Sequence, residues 1–554
     1  MEVRGMIYKN KENFENYANS RDCLKELEAF IEGRDCYDGT IFVLYGLRRT
    51  GKTTIMQQAA MNCSMPCAFF EVESGDSIDD VKKEIVSLKE SGKKVIFIDE
   101  ITKADEFIER SAALPDIFAR EGVRIVVTGT DSLGFVFAED DELYDRIKKV
   151  STTHISYAEH RRVLGTTDID DYIMYGGLMK AGENAATIKS YEDACKYLDS
   201  AVSDNITSSI QKDMNDHLSV KLSKDEMRTI IEKMVELYSG KFSVKEAQNP
   251  LKKSSVNYPV SKISEMVDEA VIHKLTLEDK EITRQFAEKI NASKEVKTTI
   301  TPEMVKELQN YLIQMDILSA NKNVKFVYDK NIGWQNLGTS HDFYIVQPAI
   351  KYYHLKEAAN FIFTEPFYNN VPANVKEVMV QKLNKKIMGD MMEQIILFDT
   401  ASYLSKDRYM IEKPSFSIKN GASGEYDMLV YDKKKNVYFA FEFKHTTEPF
   451  HLQMKHLLNE KFKEIADQYY GERQGAYVLY RGTPFKDPSG VIYLNVNGFL
   501  LAVDKHKDIE TALDFLTKDI PPKKMSINEK LDQLTASHTD HMQCFPKKPE
   551  DIQK

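Results

Sequence analysis

The order of apolar and polar positions divides the chain into three unlike stretches. Up to about residue 165, short and almost wholly apolar runs recur: Ile41-Phe42-Val43-Leu44-Tyr45, Cys67-Ala68-Phe69-Phe70-Glu71-Val72, Val95-Ile96-Phe97-Ile98 and Ile125-Val126-Val127. Runs of this length without alternation predict strands buried on both faces, as in a parallel sheet. Helical stretches are expected between them, from Asn13 to Ile31, from Thr54 onward and from Asp79 to Lys89. Strand and helix in alternation predict an open parallel α/β sheet with helices on both faces.

From 185 to 240 the pattern changes to Ile, Leu, Val and Met at helical spacing among charges. Thr301-Pro302-Glu303 offers an N-cap hydroxyl with proline at the first helical position, and Met304, Leu308, Leu312 and Met315 continue that helix. Val324-Lys325-Phe326-Val327-Tyr328 then alternates like a hairpin strand. A helix followed by a short β-wing suggests a winged-helix module. The last stretch is α/β again: a helix over Lys385 to Ile396, then strands over Tyr409 to Ser415, Glu425 to Tyr431 and Tyr438 to Lys444, the last two joined by the turn Lys433-Lys434-Lys435-Asn436. After Pro521 the chain is polar. The expected division is a phosphate-loop domain at 1–165, a helical and winged-helix region at 166–375, a C-terminal α/β domain at 376–520 and a tail at 521–554.

Composition narrows the classes. At 554 residues the chain exceeds one core, and 42% apolar with 29% charged residues is the balance of a soluble globular protein. A formal charge of −11 excludes a general basic coat, so any nucleic-acid surface must be local. Lys252, Lys253 and Lys262 form one such candidate patch, with a solvated loop as the alternative. Among the six cysteines only Cys63 and Cys67 are close, with no second pair at zinc spacing, so free thiols in a reducing compartment are expected. No run approaches 18 apolar residues and the first residues lack an apolar signal core, which points to the cytoplasm and away from membranes.

The most specific motif is Gly46-Leu47-Arg48-Arg49-Thr50-Gly51-Lys52-Thr53, between a predicted strand and a predicted helix. It fits the pattern G-x-x-x-x-G-K-[ST]. Its glycines let successive N–H groups face one centre at a helix N-terminus, where phosphate is favoured. Gly46, Arg49, Thr50, Gly51, Lys52, Thr53 and Thr54 are therefore the candidate ATP-binding residues. Lys52 would reach the β- and γ-phosphates and Thr53 would ligate Mg²⁺. The apolar strand from Val95 ends in Asp99-Glu100: Asp99 is expected to hold Mg²⁺ and Glu100 to polarise the attacking water. Val127-Thr128-Gly129-Thr130-Asp131-Ser132 closes the next strand, with Thr130 and then Asp131 as candidates to sense the γ-phosphate, and an ordinary Thr-Gly turn as the alternative.

These three segments together resemble the archaeal-type AAA ATPases of prokaryotes, P-loop ATPases near the STAND clade, many of which carry a nuclease-like domain at the C-terminus. Thr152-Thr153-His154-Ile155-Ser156-Tyr157-Ala158-Glu159 resembles the segment closing that family's ATPase core, and Asp171-Tyr172-Ile173-Met174-Tyr175-Gly176-Gly177-Leu178 its Tyr-Gly-Gly turn. Met179 stands where members often have proline. Arg146, Arg161 and Arg162 are candidate charge-neutralising arginines, with surface ion pairing the expectation for each.

The C-terminal stretch poses a separate question. Glu442 and Lys444 are two apart and share a strand face, whereas Phe441 and Phe443 point the other way. An acid and a lysine on a buried strand, with Asp427 on the adjacent strand, call for an explanation: metal-dependent phosphodiester cleavage is one, and a β-hairpin in which Glu442 and Lys444 form a cross-strand ion pair is the alternative. Two carboxylates binding Mg²⁺ beside a lysine suit phosphodiester cleavage. The arrangement resembles the PD-(D/E)XK nuclease fold: Asp427, Glu442 and Lys444 match its signature, Glu393 its helical glutamate, and Gln468, near Tyr469 and Tyr470, its later glutamine. Tyr426 replaces the motif's proline. The expected metal ligands are thus Thr53 and Asp99 at one site and Glu393, Asp427 and Glu442 at the other, with Glu100, Asp427, Glu442 and Lys444 as catalytic groups. The implied protein is a Mg²⁺-dependent ATPase coupled to a nuclease acting on nucleic acid, DNA ahead of RNA. A nucleotide-dependent switch or scaffold whose C-terminal domain binds without cutting is the alternative, and assembly into a homo-oligomer is left open.

Overall fold

The structure is a computed structural model. It describes residues 6–522 apart from 16, 35–38, 142, 180–187, 214–215, 241–283, 285–286, 289, 293–295, 330–332, 363–372 and 419–422. The lysine patch at 252, 253 and 262, most of 274–300 and the tail beyond Pro522 lie outside the described residues.

A six-stranded sheet is built from β1 (Ile7–Tyr8), β2 (Ile41–Tyr45), β3 (Cys67–Glu71), β4 (Val95–Asp99), β5 (Arg124–Thr128) and β6 (Ile147–Ser151), in the order β1-β3-β4-β5-β2-β6. Only β1 runs antiparallel to its neighbour. The period of two sorts each apolar run between two cores. Ile41, Val43, Ile96, Ile98, Ile125 and Val127 face Ile78, Val81 and Ile85 of the helix Ile78–Glu90. Phe42, Leu44, Val95, Phe97 and Val126 face Leu27 and Phe30 on one helix and Ile55, Met56 and Ala59 on another. Neither face meets water, which is why these runs carry no alternation.

β5 lies between β2 and β4. All three are parallel, so their C-terminal ends open on one edge, and the residues after β5 fall between the phosphate loop after β2 and the acids closing β4. The helix expected over Asn13 to Ile31 is confined to Leu24–Ile31. Its upstream half is drawn into other contacts: Phe14 packs edge-on against Phe69, and Arg21 turns into a buried polar network.

The second sheet has nine strands: β7 (Leu318–Asp329), β8 (Gly333–Ile345), β9 (Tyr409–Ile418), β10 (Ser423–Glu425), β11 (Met428–Asp432), β12 (Val437–Lys444), β13 (Glu472–Tyr480), β14 (Phe485–Lys486) and β15 (Ile492–Asn495). The order is β14-β15-β13-β12-β11-β9-β7-β8, with β10 paired to β9. The helix expected after Thr301 is present as Pro302–Gln314, and the Thr301 side chain accepts from Met304 N. The hairpin that follows is not a free-standing wing. β7 runs parallel to β9, Asn323–Tyr328 against Lys413–Ile418, so the hairpin extends the C-terminal sheet. Val324 and Phe326 bury against Phe416 there, and Trp334 packs against Tyr328 and Phe416.

The helix expected over Lys385 to Ile396 runs from Ala373 to Tyr403. Phe439, Phe441 and Phe443 pack with its Ile387, Met391 and Ile396, while Tyr438 and Ala440 pack against Phe462 and Ile465 of the helix Glu460–Tyr470. Alternation therefore puts Glu442 on the second face, as the spacing predicted.

Candidate functional site

Gly46 adopts φ 139°, and a Cβ there would lie 2.5 Å from Thr152 Oγ1; Gly51 adopts φ 88°, where a Cβ would lie 2.9 Å from Met179 Sδ. Both positions favour glycine by conformation, and Gly46, where a Cβ would also lie 2.9 Å from Thr153 N, requires it for space as well. Arg49 between them is a non-glycine residue at φ 65°. Three successive carbonyls of the turn are gripped from outside: Arg48 O accepts from Tyr197 Oη at 2.7 Å, Arg49 O from Met179 N at 2.8 Å and Thr50 O from an Arg21 guanidinium N–H at 2.6 Å. Thr50 Oγ1 lies 2.6 Å from Thr152 Oγ1. The turn is thus preorganised, with its carbonyls engaged on the far side.

Lys52 opens the helix Lys52–Asn62, and its Nζ donates to Gly46 O at 2.7 Å and Leu47 O at 2.9 Å. Burial pushes its ammonium down to about 8, against the pull of Glu100 and Asp99. An ammonium so weakly hydrated gains much from a phosphate. Thr53 Oγ1 lies 3.4 Å from Asp99 Oδ1. A hydroxyl and a carboxylate oxygen this close form the hard-oxygen donor set that suits Mg²⁺. Thr54 follows on the same helix, half-buried.

Asp99 is buried, and burial followed by the neighbouring Glu100 raises its carboxyl to about 6. A protonated Asp99 cannot bind a cation, so Mg²⁺-dependent nucleotide affinity is expected to be about tenfold weaker near pH 5 than near pH 7. Equilibrium titration at both pH values, with and without Mg²⁺, checks this. Glu100 sits at φ 58°, a left-handed conformation that costs a non-glycine residue energy. Thr130 donates to Glu100 Oε2 through N at 3.2 Å and Oγ1 at 3.0 Å, and Asn205 Nδ2 donates to Thr130 O at 2.7 Å. Thr130, the preferred candidate after β5, therefore orients Glu100. Asp131 instead accepts from Gly134 N at 2.9 Å and from Ser209, a cap at the next helix.

Arg21 had no motif to announce it. Its Nε lies 2.7 Å from Glu159, and it also donates to Thr152 O at 3.0 Å and His154 O at 2.8 Å. Its side chain is 5% exposed and that of Glu159 is 7% exposed. Burial favours the neutral acid, but the guanidinium outweighs it and the Glu159 carboxyl lies below its ordinary value. Arg21→Met leaves a buried carboxylate without its counter-charge, held only by Asp22 N at 2.7 Å, and takes the guanidinium donor from three carbonyls. The expected loss is about 3–5 kcal/mol of stability, read from urea unfolding midpoints. Arg146 and Arg162 form the ion pairs expected of them, with Asp116 and Asp22, whereas Arg161 donates to Thr167 O and Tyr157 Oη instead. Beside the 176–179 turn a cavity of about 450 Å³ is lined by His160, Leu164, Thr166, Tyr175, Leu178 and Tyr353.

The C-terminal candidates converge in part. Asp427 lies in the bend before β11 rather than within the strand, and its Oδ2 accepts from Phe443 N at 2.6 Å. Lys444 Nζ lies 2.8 Å from Glu442 Oε2 and 3.4 Å from Asp427 Oδ2, so one ammonium joins both acids. His456, unforeseen from the sequence, places Nδ1 3.0 Å from Glu442 Oε1. Burial, then the charge of Asp427, raises the Glu442 carboxyl. Glu393 arrives on the helix Ala373–Tyr403, from the opposite face of the sheet, and holds Lys413. Burial raises it to about 7, the Lys413 ammonium opposing and Asp427 adding to the shift. Among the described residues no group of three or more His, Cys, Asp and Glu side chains is arranged to hold a metal ion. The acids are instead drawn to Lys413 and Lys444. Gln468 is exposed, while the adjacent Tyr470 is buried and donates to Glu412 at 2.6 Å.

Residues 38–160 match the family model described as an AAA domain. This part of the chain is an AAA-type P-loop ATPase domain. Solved structures similar to the chain include the Walker-type ATPase of Pyrococcus abyssi, at 12% identity and a TM-score of 0.26, covering 62% of this chain and 99% of that one. Others are the RuvB Holliday junction branch migration motor of Thermotoga maritima, at 14% identity, a TM-score of 0.18 and coverage of 54% and 89%, and a katanin structure at 16%, 0.17, and 52% and 82%. No curated protein matches. At these identities and scores nothing about substrate passes from those structures to this chain. Among the described residues no helix is long and apolar enough to cross a membrane.

Proposed function

We propose that the chain is a Mg²⁺-dependent ATPase whose nucleotide state controls a C-terminal domain directed at nucleic acid. The observation that carries the first half is the meeting of the phosphate-loop helix with the ends of β4 and β5, where Thr53 Oγ1 lies 3.4 Å from Asp99 Oδ1 and Thr130 donates to Glu100, with Lys52 opening that helix. Lys52 leaves the Gly46 and Leu47 carbonyls for the β- and γ-phosphates, and the N–H groups from Arg49 to Thr54 face the same oxygens. Thr53 and Asp99 would hold Mg²⁺, which would neutralise charge on the phosphates. Glu100, oriented by Thr130, accepts the proton of the attacking water. The cavity beside Leu178 is the proposed seat of the nucleoside. Glu100→Gln keeps the shape and the Thr130 contact but removes the base. Turnover should fall about 10²–10⁴-fold with nucleotide affinity retained, measured by phosphate release and by equilibrium binding.

The second half rests on Asp427, Glu442 and Lys444, two acids and a lysine at the end of β12, with Glu393 close enough to feel Asp427. In this reading Asp427 and Glu442 would hold Mg²⁺ once Lys444 leaves them, Glu393 would support the site from the other face, and Lys444 would position the scissile phosphate. A specific observation favours the alternative of a binding module or switch. Lys444 already spans Asp427 and Glu442, and Lys413 already neutralises Glu393, as ion pairs in a structural role would. A cleavage assay with Mg²⁺ or Mn²⁺ on single- and double-stranded DNA and RNA separates the two.

A further inference from the structure

The loop that closes the phosphate site and the strand end that carries Lys444 are joined by one short helix, Ile169–Tyr175. At its C-terminal end the chain turns through 176–179 onto the phosphate loop. Met179 N donates to Arg49 O at 2.8 Å, and Met179 Sδ occupies the space beside Gly51. At its N-terminal end Asp168 caps the helix and Ile169 N donates to Asn497 Oδ1 at 3.1 Å. Asp170 then reaches the second sheet with both oxygens: Oδ1 lies 2.8 Å from His445 Nε2, and Oδ2 lies 2.9 Å from a terminal nitrogen of Arg481. His445 directly follows Lys444, and Arg481 directly follows β13. The two strand ends are tied to each other as well, since Arg481 N donates to Thr446 O at 2.9 Å.

The connection is stiff. Seven residues of helix span only about 10 Å. Tyr172, at the middle, is 1% exposed, donates to Ile155 O at 2.5 Å and packs edge-on against Tyr157 and His160. Gly176 N donates back to Tyr172 O at 2.8 Å, so the turn is pinned to the helix it follows. A close-packed helix held at both ends moves as a body rather than absorbing displacement.

We propose that this helix couples the phosphate loop to the acid–lysine cluster, with Asp170 as the positioning residue for the ends of β12 and β13. The inference rests on the reading that nucleotide enters the phosphate loop. Phosphate binding draws Lys52 off two carbonyls of the turn and reorients the segment around Arg49, whose carbonyl Met179 holds. The displacement passes through the helix to Asp170, and from there to His445 and Arg481 together. Coupling of this kind is reciprocal, so whatever binds at the cluster changes nucleotide affinity by the same factor.

The test is amide hydrogen exchange of the full chain, followed by mass spectrometry with and without Mg²⁺ and a non-hydrolysable ATP analogue. Arg481 N, bonded across the strand ends to Thr446 O at 2.9 Å, and Thr446 N, which closes the turn after β12 onto Lys444 O at 2.8 Å, serve as reporters. In the wild type their exchange should change about fivefold on nucleotide binding. Asp170→Ala should abolish the response while leaving nucleotide affinity within about threefold, since it touches no residue of the phosphate loop. Met179→Pro removes the donated N–H and should also abolish the response, whereas Met179→Leu keeps that N–H and the response. This pair decides the matter should Asp170→Ala fail to fold. Nucleotide bound with no change at Thr446 and Arg481, or a full response in Asp170→Ala, overturns the coupling. Failure of the wild type to bind nucleotide overturns the reading beneath it.

Discussion

Lys52→Ala is expected to lower ATP turnover by about a hundred- to a thousandfold. The side chain is 6% exposed, and its ammonium rests on two carbonyls with its basicity reduced by burial to about 8. A cation in such a site exchanges a poor set of partners for a triphosphate without first shedding a hydration shell. Alanine removes that gain and leaves the developing charge on the phosphates to Mg²⁺ and the backbone N–H groups alone. Phosphate release under saturating Mg²⁺–ATP measures the effect. The same variant tests control of the C-terminal domain: any cleavage that depends on ATP in the wild type should disappear. Cleavage that continues unchanged and ignores ATP would falsify gating while leaving the ATPase intact.

The second large effect is expected at Glu442, where Glu442→Gln should reduce divalent-metal-dependent cleavage of nucleic acid by at least about a hundredfold. Glutamine keeps the volume of a side chain that is 2% exposed, keeps an oxygen for Lys444 and turns its amide N–H to His456 Nδ1, so the fold is retained. What it loses is the charge that, with Asp427, a metal would need. Turnover of ATP should be unaltered, because Glu442 makes no contact with the phosphate loop. Equal cleavage by wild type and variant places any cutting centre elsewhere. Binding without cleavage by the wild type, weakened as salt rises, identifies the domain as a binding module.

The parts of the first site that could be read from the sequence are those fixed by covalent adjacency. Glycine spacing sets the curl of the loop, and the end of an apolar run sets the tip of β4, so Lys52, Thr53, Asp99 and Glu100 were placed by position alone. Thr130 was legible to the extent that β5 was, and the sheet order brought it to Glu100. The groups that hold the loop, and the contact that ties the neighbouring helix to the second sheet, were not legible, because each crosses a long stretch of chain: Arg21 to Glu159 spans 138 residues, Tyr197 to Arg48 149, and Asp170 to His445 275. No local pattern predicts such pairs, which depend on how helices pack over the sheet. Met179 drew notice only as a departure from a resembled proline, yet its N–H is what reaches Arg49, a contact proline cannot make.

In the C-terminal domain the strand alternation correctly set Glu442 and Lys444 apart from Phe441 and Phe443. It could not show that Asp427 falls in a bend, because a strand's start depends on its partners rather than its own residues. Nor could it foresee Lys413, which comes from β9 and meets Glu393 only once the helix Ala373–Tyr403 crosses that face. The hairpin after Pro302–Gln314 was legible as a hairpin. That it joins the second sheet follows from Phe326 and Phe416 stacking between β7 and β9, a contact with no trace in either strand alone.

The most direct measurement is a crystal structure of the full chain with Mg²⁺ and a non-hydrolysable ATP analogue. The β- and γ-phosphates are expected within the 46–53 turn, with Lys52 Nζ withdrawn from the Gly46 and Leu47 carbonyls to the phosphates and the ion held by Thr53 and Asp99. Nucleotide bound elsewhere, with Lys52 still on those carbonyls, would contradict this placement.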